Sequence, residues 1–407
     1  MNDRDEAWFF SGRGAEIDEI ERLCTEALDR VRQGQAARGA TRLFQGAPGA
    51  GKTALLTALQ QRWDERARNA RVHDPIGSPA GIPLAVLVHW NDLGSEDAVA
   101  RTILKALDPA LEETYRRTGT VGLDAGLRIP GVSVGGRASG STAPPSLTFL
   151  ELVRAVPPSA WTRPVCLMVD EVQAVDRSVV LSLLHQGIAG LPVVPLLAGL
   201  GSSQDHLAAL NIGLSRLAID AVHDIGALAP EEAQGAVRMM FERYRVDLEG
   251  VDHDWPSELA SLSECWPQHL HNAMRALAEG LVAVGGRLAA VDTARVLDRD
   301  RHYRTISYSR RVSPAMDEAR CLVGAVMAAL PESGTDRAAI IDSLDRVAEA
   351  RGAESVAWRL PRGMDNAMLF DHLVHQGALQ RGTDKLYHCP IPSFRTYLIQ
   401  NGGEPRC

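Results

Sequence analysis

The sequence predicts an α/β fold: a three-layer parallel-sheet domain, then a helical unit, then a small C-terminal unit of helices and a hairpin. Three observations carry this prediction. Short apolar runs alternate with amphipathic helical patterns as far as Ala198. Those runs are near-continuous rather than alternating, which is the pattern of strands buried on both faces of a parallel sheet. From Pro230 onward the strand pattern stops, and helical periods follow until a final hairpin.

The elements follow in order. Glu16 to Arg32 places Ile17, Ile20, Leu23, Leu28 and Val31 on one helical face. Thr41–Gln45 reads as a short strand running into glycines, and Lys52–Arg66 as the helix after it. Pro83–Trp90 is a buried strand, followed by helices at Asp97–Leu107 and Ser146–Ala155. The strand Val165–Val169, a helix Ser178–Gln186 and the strand Val193–Ala198 complete the alternation, which implies right-handed crossovers. Glu231–Tyr244, Pro256–Ser263, Pro267–Val284 and Val291–Arg299 read as helices of a small lid. A basic stretch with Arg301, Arg304, Arg310 and Arg311 reads as a linker. Helices at Asp317–Ala329, Asp336–Arg351 and Asp365–Gln376, the last closed by Gly377, precede a hairpin turning at Gly382–Asp384, which is the order of a winged helix-turn-helix. The expected boundaries are 1–228 for the core, with an insert at about 108–145, then 229–299 for the lid, 300–314 for the linker and 315–407 for the winged helix.

Composition bounds the function. The chain has 407 residues, 45% hydrophobic and 23% charged, which excludes a fibrous or mainly disordered protein. A net charge of −8 excludes a surface built throughout for nucleic acid and leaves room for local basic patches. The six cysteines form no CxxC pair and no metal-ligand spacing, so they read as reduced thiols of a cytoplasmic protein. The first residues lack the basic and apolar regions of a signal peptide. Val179–Gly201 runs 23 residues without a charge, but Pro192, Pro195 and its glycines break it into a helix, a turn and a strand. No membrane span is expected.

The chemistry concentrates in two places. Gly46-Ala47-Pro48-Gly49-Ala50-Gly51-Lys52-Thr53 matches GxxxxGK[ST] and lies between a predicted strand and a predicted helix, the context the motif requires. Glycines let the backbone curl so that N–H groups face phosphates at a helix N-terminus. Lys52 then reaches the β/γ-phosphates, Thr53 offers a hydroxyl to Mg²⁺, and Ala54 continues the cradle. The apolar strand Val165–Val169 ends in Asp170-Glu171. Asp170 is expected to hold Mg²⁺ through water, and Glu171 to act as general base on the attacking water. The alternative for Glu171 is a carboxylate that favours the start of the next helix. No NKxD guanine-reading motif accompanies them, which favours ATP.

With these residues the chain resembles the AAA+ and STAND-like P-loop ATPases, in particular their replication-initiator-like and transposition-regulator-like branches. Phe9-Phe10-Ser11-Gly12-Arg13-Gly14-Ala15-Glu16 is similar to the GR-x-x-E segment that lies near the adenine in that family, so Gly12 and Arg13 are implied as nucleotide contacts. Val169-Asp170-Glu171-Val172-Gln173 resembles its Walker B strand. Leu214-Ser215-Arg216-Leu217 matches the position from which such proteins present an arginine to a neighbouring subunit's γ-phosphate, which implies that role for Arg216. Cys265-Trp266-Pro267-Gln268 resembles the G-x-P turn of the lid, with Cys replacing Gly. Two departures stand out. No Asn follows Val193–Ala198 for a water-orienting sensor, so Ser202 is the candidate, and Arg275 is the candidate lid arginine.

The resemblance implies an ATP-hydrolysing, Mg²⁺-dependent molecular switch that forms homo-oligomers on ATP, with a role in antiphage defence or mobile-element biology. A protein partner would meet the winged helix or the insert. The alternatives are an ATP-dependent DNA-binding regulator or loader and a nucleotide-binding scaffold with little hydrolysis. DNA binding is expected to be weak and non-specific, because Asp365–Gln376, the recognition-helix candidate, contains no Lys or Arg.

Overall fold

The computed structural model describes residues 12–35, 41–73, 80–88, 163–174, 192–201, 203, 222–351, 358–382 and 384–403. The expected helices at 97–107, 146–155 and 178–186, the 108–145 insert, Ser202 and Arg216 lie outside them.

The N-terminal part is built on five parallel strands: β1 (Arg42–Gln45), β2 (Leu84–Val88), β3 (Val165–Val169), β4 (Val193–Gly199) and β5 (Val222–Asp224). Their order across the sheet is β2-β3-β4-β1-β5. Every residue of β3 and β4 is buried, so both faces of the sheet are covered, as their unbroken apolar sequences require. The strand inserted between β1 and β3 is β4, in register as Gln45↔Gly199 and Val169↔Leu197. Because all strands are parallel, the loops after β1, β3 and β4 emerge at one edge, where ligands of open α/β sheets bind. The stretch that resembled a membrane span contributes β4 to the middle of this sheet. Among the described residues no helix is long and apolar enough to cross a membrane.

Helix α1 (Gly14–Arg32) buries Ile17, Ile20, Leu23, Leu28 and Val31, as its periodicity dictates, and α2 (Lys52–His73) follows the glycine-rich loop. The lid comprises α3 (Pro230–Tyr244), α4 (Trp255–Leu262) and α5 (Pro267–Ala283), and α6 (Thr293–Arg311) packs on α5 and joins the lid to the C-terminal unit. Its hydrophobic cluster, centred on Met240, Leu259, Ala273 and Leu277, is separate from that of the sheet.

Helix α6 departs from the expectation of a linker at 300–314. It runs unbroken to Arg311, because no Gly or Pro interrupts the chain before Pro314. Ser313 then caps α7 (Pro314–Glu318) by accepting from Met316 N at 3.2 Å.

Helices α8 (Arg320–Ala329), α9 (Arg337–Arg351) and α10 (Asn366–His375), the hairpin β6 (Gln380–Arg381) with β7 (Tyr387–His388), and α11 (Pro392–Gly403) complete the chain. This C-terminal unit shares one hydrophobic cluster with the sheet domain, from Phe44 and Leu196 to Leu373 and Phe394. It is seated on the core. Cys24, Cys166, Cys265 and Cys389 are free thiols, whereas Cys321 is disulfide-bonded, which corrects the expectation that every cysteine is reduced.

Candidate nucleotide-binding site

A cavity of about 920 Å³ opens where β1 and β3 end, beneath the lid. Its floor is the loop from Pro48 to Ala54. Gly49 and Gly51 have φ of 79° and 90°, a left-handed region that L side chains avoid, and this curls the loop around the N-terminus of α2. At Gly49 a side chain is also excluded by space, since a Cβ would lie 2.3 Å from Gln268 Oε1.

Lys52 is buried, and its ammonium donates to the carbonyls of Gly46 at 2.8 Å and Ala47 at 3.1 Å. Burial lowers its pKa to about 8, while Glu171 and Asp170 nearby favour the charged form. The Thr53 hydroxyl donates to Asp170 Oδ2 at 2.7 Å, so the first turn of α2 and the end of β3 meet directly. The other Asp170 oxygen accepts from Glu171 N at 3.0 Å.

Glu171 lines the cavity with φ of 55°. Its carboxylate accepts from Gln173 Nε2, and Gln173 Oε1 in turn accepts from Leu200 N at 3.2 Å and the Ser203 hydroxyl at 3.4 Å. Gln173 therefore ties Glu171 to the end of β4. Sequence alone assigns Gln173 no role; Ser203 shares this contact, and Ser202, the expected sensor, lies outside the described residues.

Arg13 also lines the cavity. Its left-handed backbone opens α1, its N–H donates to Glu232 Oε1 at 3.0 Å, and its Nη2 donates to Gly226 O at 2.5 Å. The same Glu232 carboxylate lies against Gly12 and accepts from Ala229 N at 2.9 Å, pinning the 12–13 turn to the first lid helix. Leu228, Ala236, Leu270 and Met274 form an apolar wall beside it.

Arg275 does not reach the cavity lining. It is half-exposed, pairs with Glu279 at 3.4 Å and lies over the Tyr303 ring at 4.7 Å. The cation that does reach the loop is Arg311, at the end of α6. Its Nη2 donates to Pro48 O at 2.8 Å and to Gln268 Oε1 at 2.6 Å, while Gln268 N donates to Gly49 O at 3.1 Å. From the C-terminal unit, Gln380 Oε1 accepts from Ala47 N at 2.9 Å, and His375 lines the cavity. Basic character at 310–311 is visible in the sequence. Its placement against the loop is not, because the contact spans 263 positions.

The site thus brings together the 46–54 loop, Arg13, Asp170 and Glu171. No family model matches the chain, and no curated protein matches it. Solved structures do. A Walker-type ATPase of Pyrococcus abyssi superposes with a TM-score of 0.52 at 16% identity, covering 93% of this chain and 94% of its own. The ORC2 protein of Aeropyrum pernix, solved in ADPNP–ADP complexes, gives 0.51 at 15% identity over 96% of this chain and 93% of its own. Taken with the sheet order and the P-loop at the end of β1, these likenesses show that the chain has the fold of the AAA+ P-loop ATPases.

Proposed function

We propose that the chain is an ATP-binding and hydrolysing molecular switch. The single observation that carries this reading is the Thr53–Asp170 contact of 2.7 Å at the edge of a cavity floored by the 46–54 loop. A hydroxyl and a carboxylate so placed are hard oxygen ligands of the kind Mg²⁺ takes, with phosphates and water completing its shell. Bound there, Mg²⁺ would neutralise charge on the transferred phosphoryl group.

Each residue has a role in this reading. The loop N–H groups and Lys52 hold the phosphates. Arg13 and the wall of Leu228, Leu270 and Met274 receive the base. Glu171, oriented by Gln173, polarises the attacking water. Ser202 as sensor and Arg216 as a residue acting on a neighbouring subunit's nucleotide remain parts of the proposal, together with ATP-dependent homo-oligomers. We read the C-terminal unit as a winged helix that meets protein rather than DNA. Its α10 has no Lys or Arg and ends against the phosphate loop, while Arg304 is paired with Asp300 at 2.6 Å and Arg311 is buried. A cytoplasmic setting, which supplies ATP, is part of the same reading.

Equilibrium binding of ATP to the parent and to Lys52→Ala tests the site. The parent should bind, and the variant should lose at least tenfold in affinity. Equal affinities would place ATP elsewhere.

A further inference from the structure

We infer that Arg311 is a ligand of the nucleotide's phosphates, delivered by the helix that joins the lid to the C-terminal unit. The inference rests on the nucleotide-binding reading above. Arg311 is only 7% exposed. Its Nη2 is spent on Pro48 O and Gln268 Oε1, but its buried Nη1 has no hydrogen-bond partner. Among the described residues no carboxylate pairs with it. A guanidinium does not shed its proton to escape such a position, so the buried charge is a standing cost until an anion arrives.

The location identifies the anion. Arg311 lines the cavity and touches the loop where Gly49 turns, with Nη2 2.8 Å from where a Cβ on Gly49 would be. Its charge is felt by Lys52, whose protonation it disfavours. Two buried cations thus line the same cavity, and a phosphate chain between them would satisfy both through charge-assisted hydrogen bonds. The guanidinium lies over the Phe394 ring of α11, 5.7 Å from its centroid, which orients it before any ligand binds. Arg275, held by Glu279 and Tyr303, is not available for this task. Because one side chain touches the loop, the lid and α11, phosphate occupancy is communicated to the seating of the C-terminal unit.

The test uses the full chain, a non-hydrolysable ATP analogue, calorimetric titration and thermal unfolding. Arg311→Met should bind the analogue at least tenfold more weakly. Its nucleotide-free Tm should equal or exceed the parent's, since an unpaired buried charge is gone, while the rise in Tm on adding analogue shrinks. Arg311→Lys, which keeps the charge, should recover part of the affinity. Parental affinity in Arg311→Met would overturn the inference. So would a weakened affinity accompanied by a clear drop in nucleotide-free Tm, or a variant that fails to fold, because the residue would then merely support the loop. A parent that does not bind the analogue would instead overturn the nucleotide reading itself.

Discussion

Gln380 accepts a hydrogen bond from the backbone N–H of Ala47 at 2.9 Å, so the hairpin of the C-terminal unit caps the phosphate loop from 333 positions away. Gln380 is buried and packed beneath Gly201 at the end of β4. Gln380→Met would keep the volume and leave the Ala47 N–H without a partner, at a cost of about 1–3 kcal/mol. The expected outcome is a lower Tm and faster hydrogen exchange at the Ala47 amide. Unchanged exchange would mean that the cap contributes nothing.

Gly377 tests the same interface by space rather than polarity. It has φ of 70°, and a Cβ there would lie 2.3 Å from Pro48 Cδ. Gly377→Ala therefore meets both left-handed strain of roughly 1–2 kcal/mol and a clash with the loop. Thermal unfolding should show a loss of at least that size, and ATP affinity should fall with it because the displaced atom belongs to the phosphate loop.

A third prediction concerns pH. His269 on α5 is buried and shares a hydrogen bond of 3.1 Å with the Tyr308 hydroxyl, which also meets the Ser393 hydroxyl at 2.6 Å. Ser393 Oγ donates to Glu264 Oε2 at 2.8 Å, so this buried chain joins the lid, α6 and α11. Burial, with Arg304 and Arg311 nearby, lowers the His269 pKa from 6.5 to about 3. The unfolded chain takes up a proton in that interval and the folded one does not. Stability present above pH 6.5 is therefore lost as pH falls toward about 3, by on the order of 5 kcal/mol at the limit. Unfolding measured across that range should flatten in His269→Gln. A parallel pH profile in the variant would assign the acid sensitivity to other groups.

Much of this architecture is legible in the sequence because its determinants are local. The 46–53 motif lies between a strand and a helix, and Asp170 ends an apolar run, so the two strand ends that frame the cavity can be read from the sequence. Strand β5 is not legible in the sequence, because Val222–Asp224 is only three residues long, too short for a period. The charge of 300–311 suggests a linker, whereas the absence of Gly or Pro before Pro314 is the stronger signal for continuing α6. Gln173, Glu232, Arg311 and Gln380 carry no motif. Gln173 acquires its role only when the ends of β3 and β4 lie side by side. The other three act across 219, 263 and 333 positions, where no sequence period reaches.

Steady-state phosphate release from ATP with Mg²⁺, compared between the parent and Glu171→Gln, tests the central claim most directly. Glu171→Gln keeps the shape of the side chain and its contact with Gln173 while removing the base. The account predicts ATP turnover in the parent and a fall of about 100-fold or more in the variant, with ATP binding retained. Equal rates in the two proteins would contradict Glu171 as the base, and a parent that binds ATP without releasing phosphate would make the protein a nucleotide-binding scaffold.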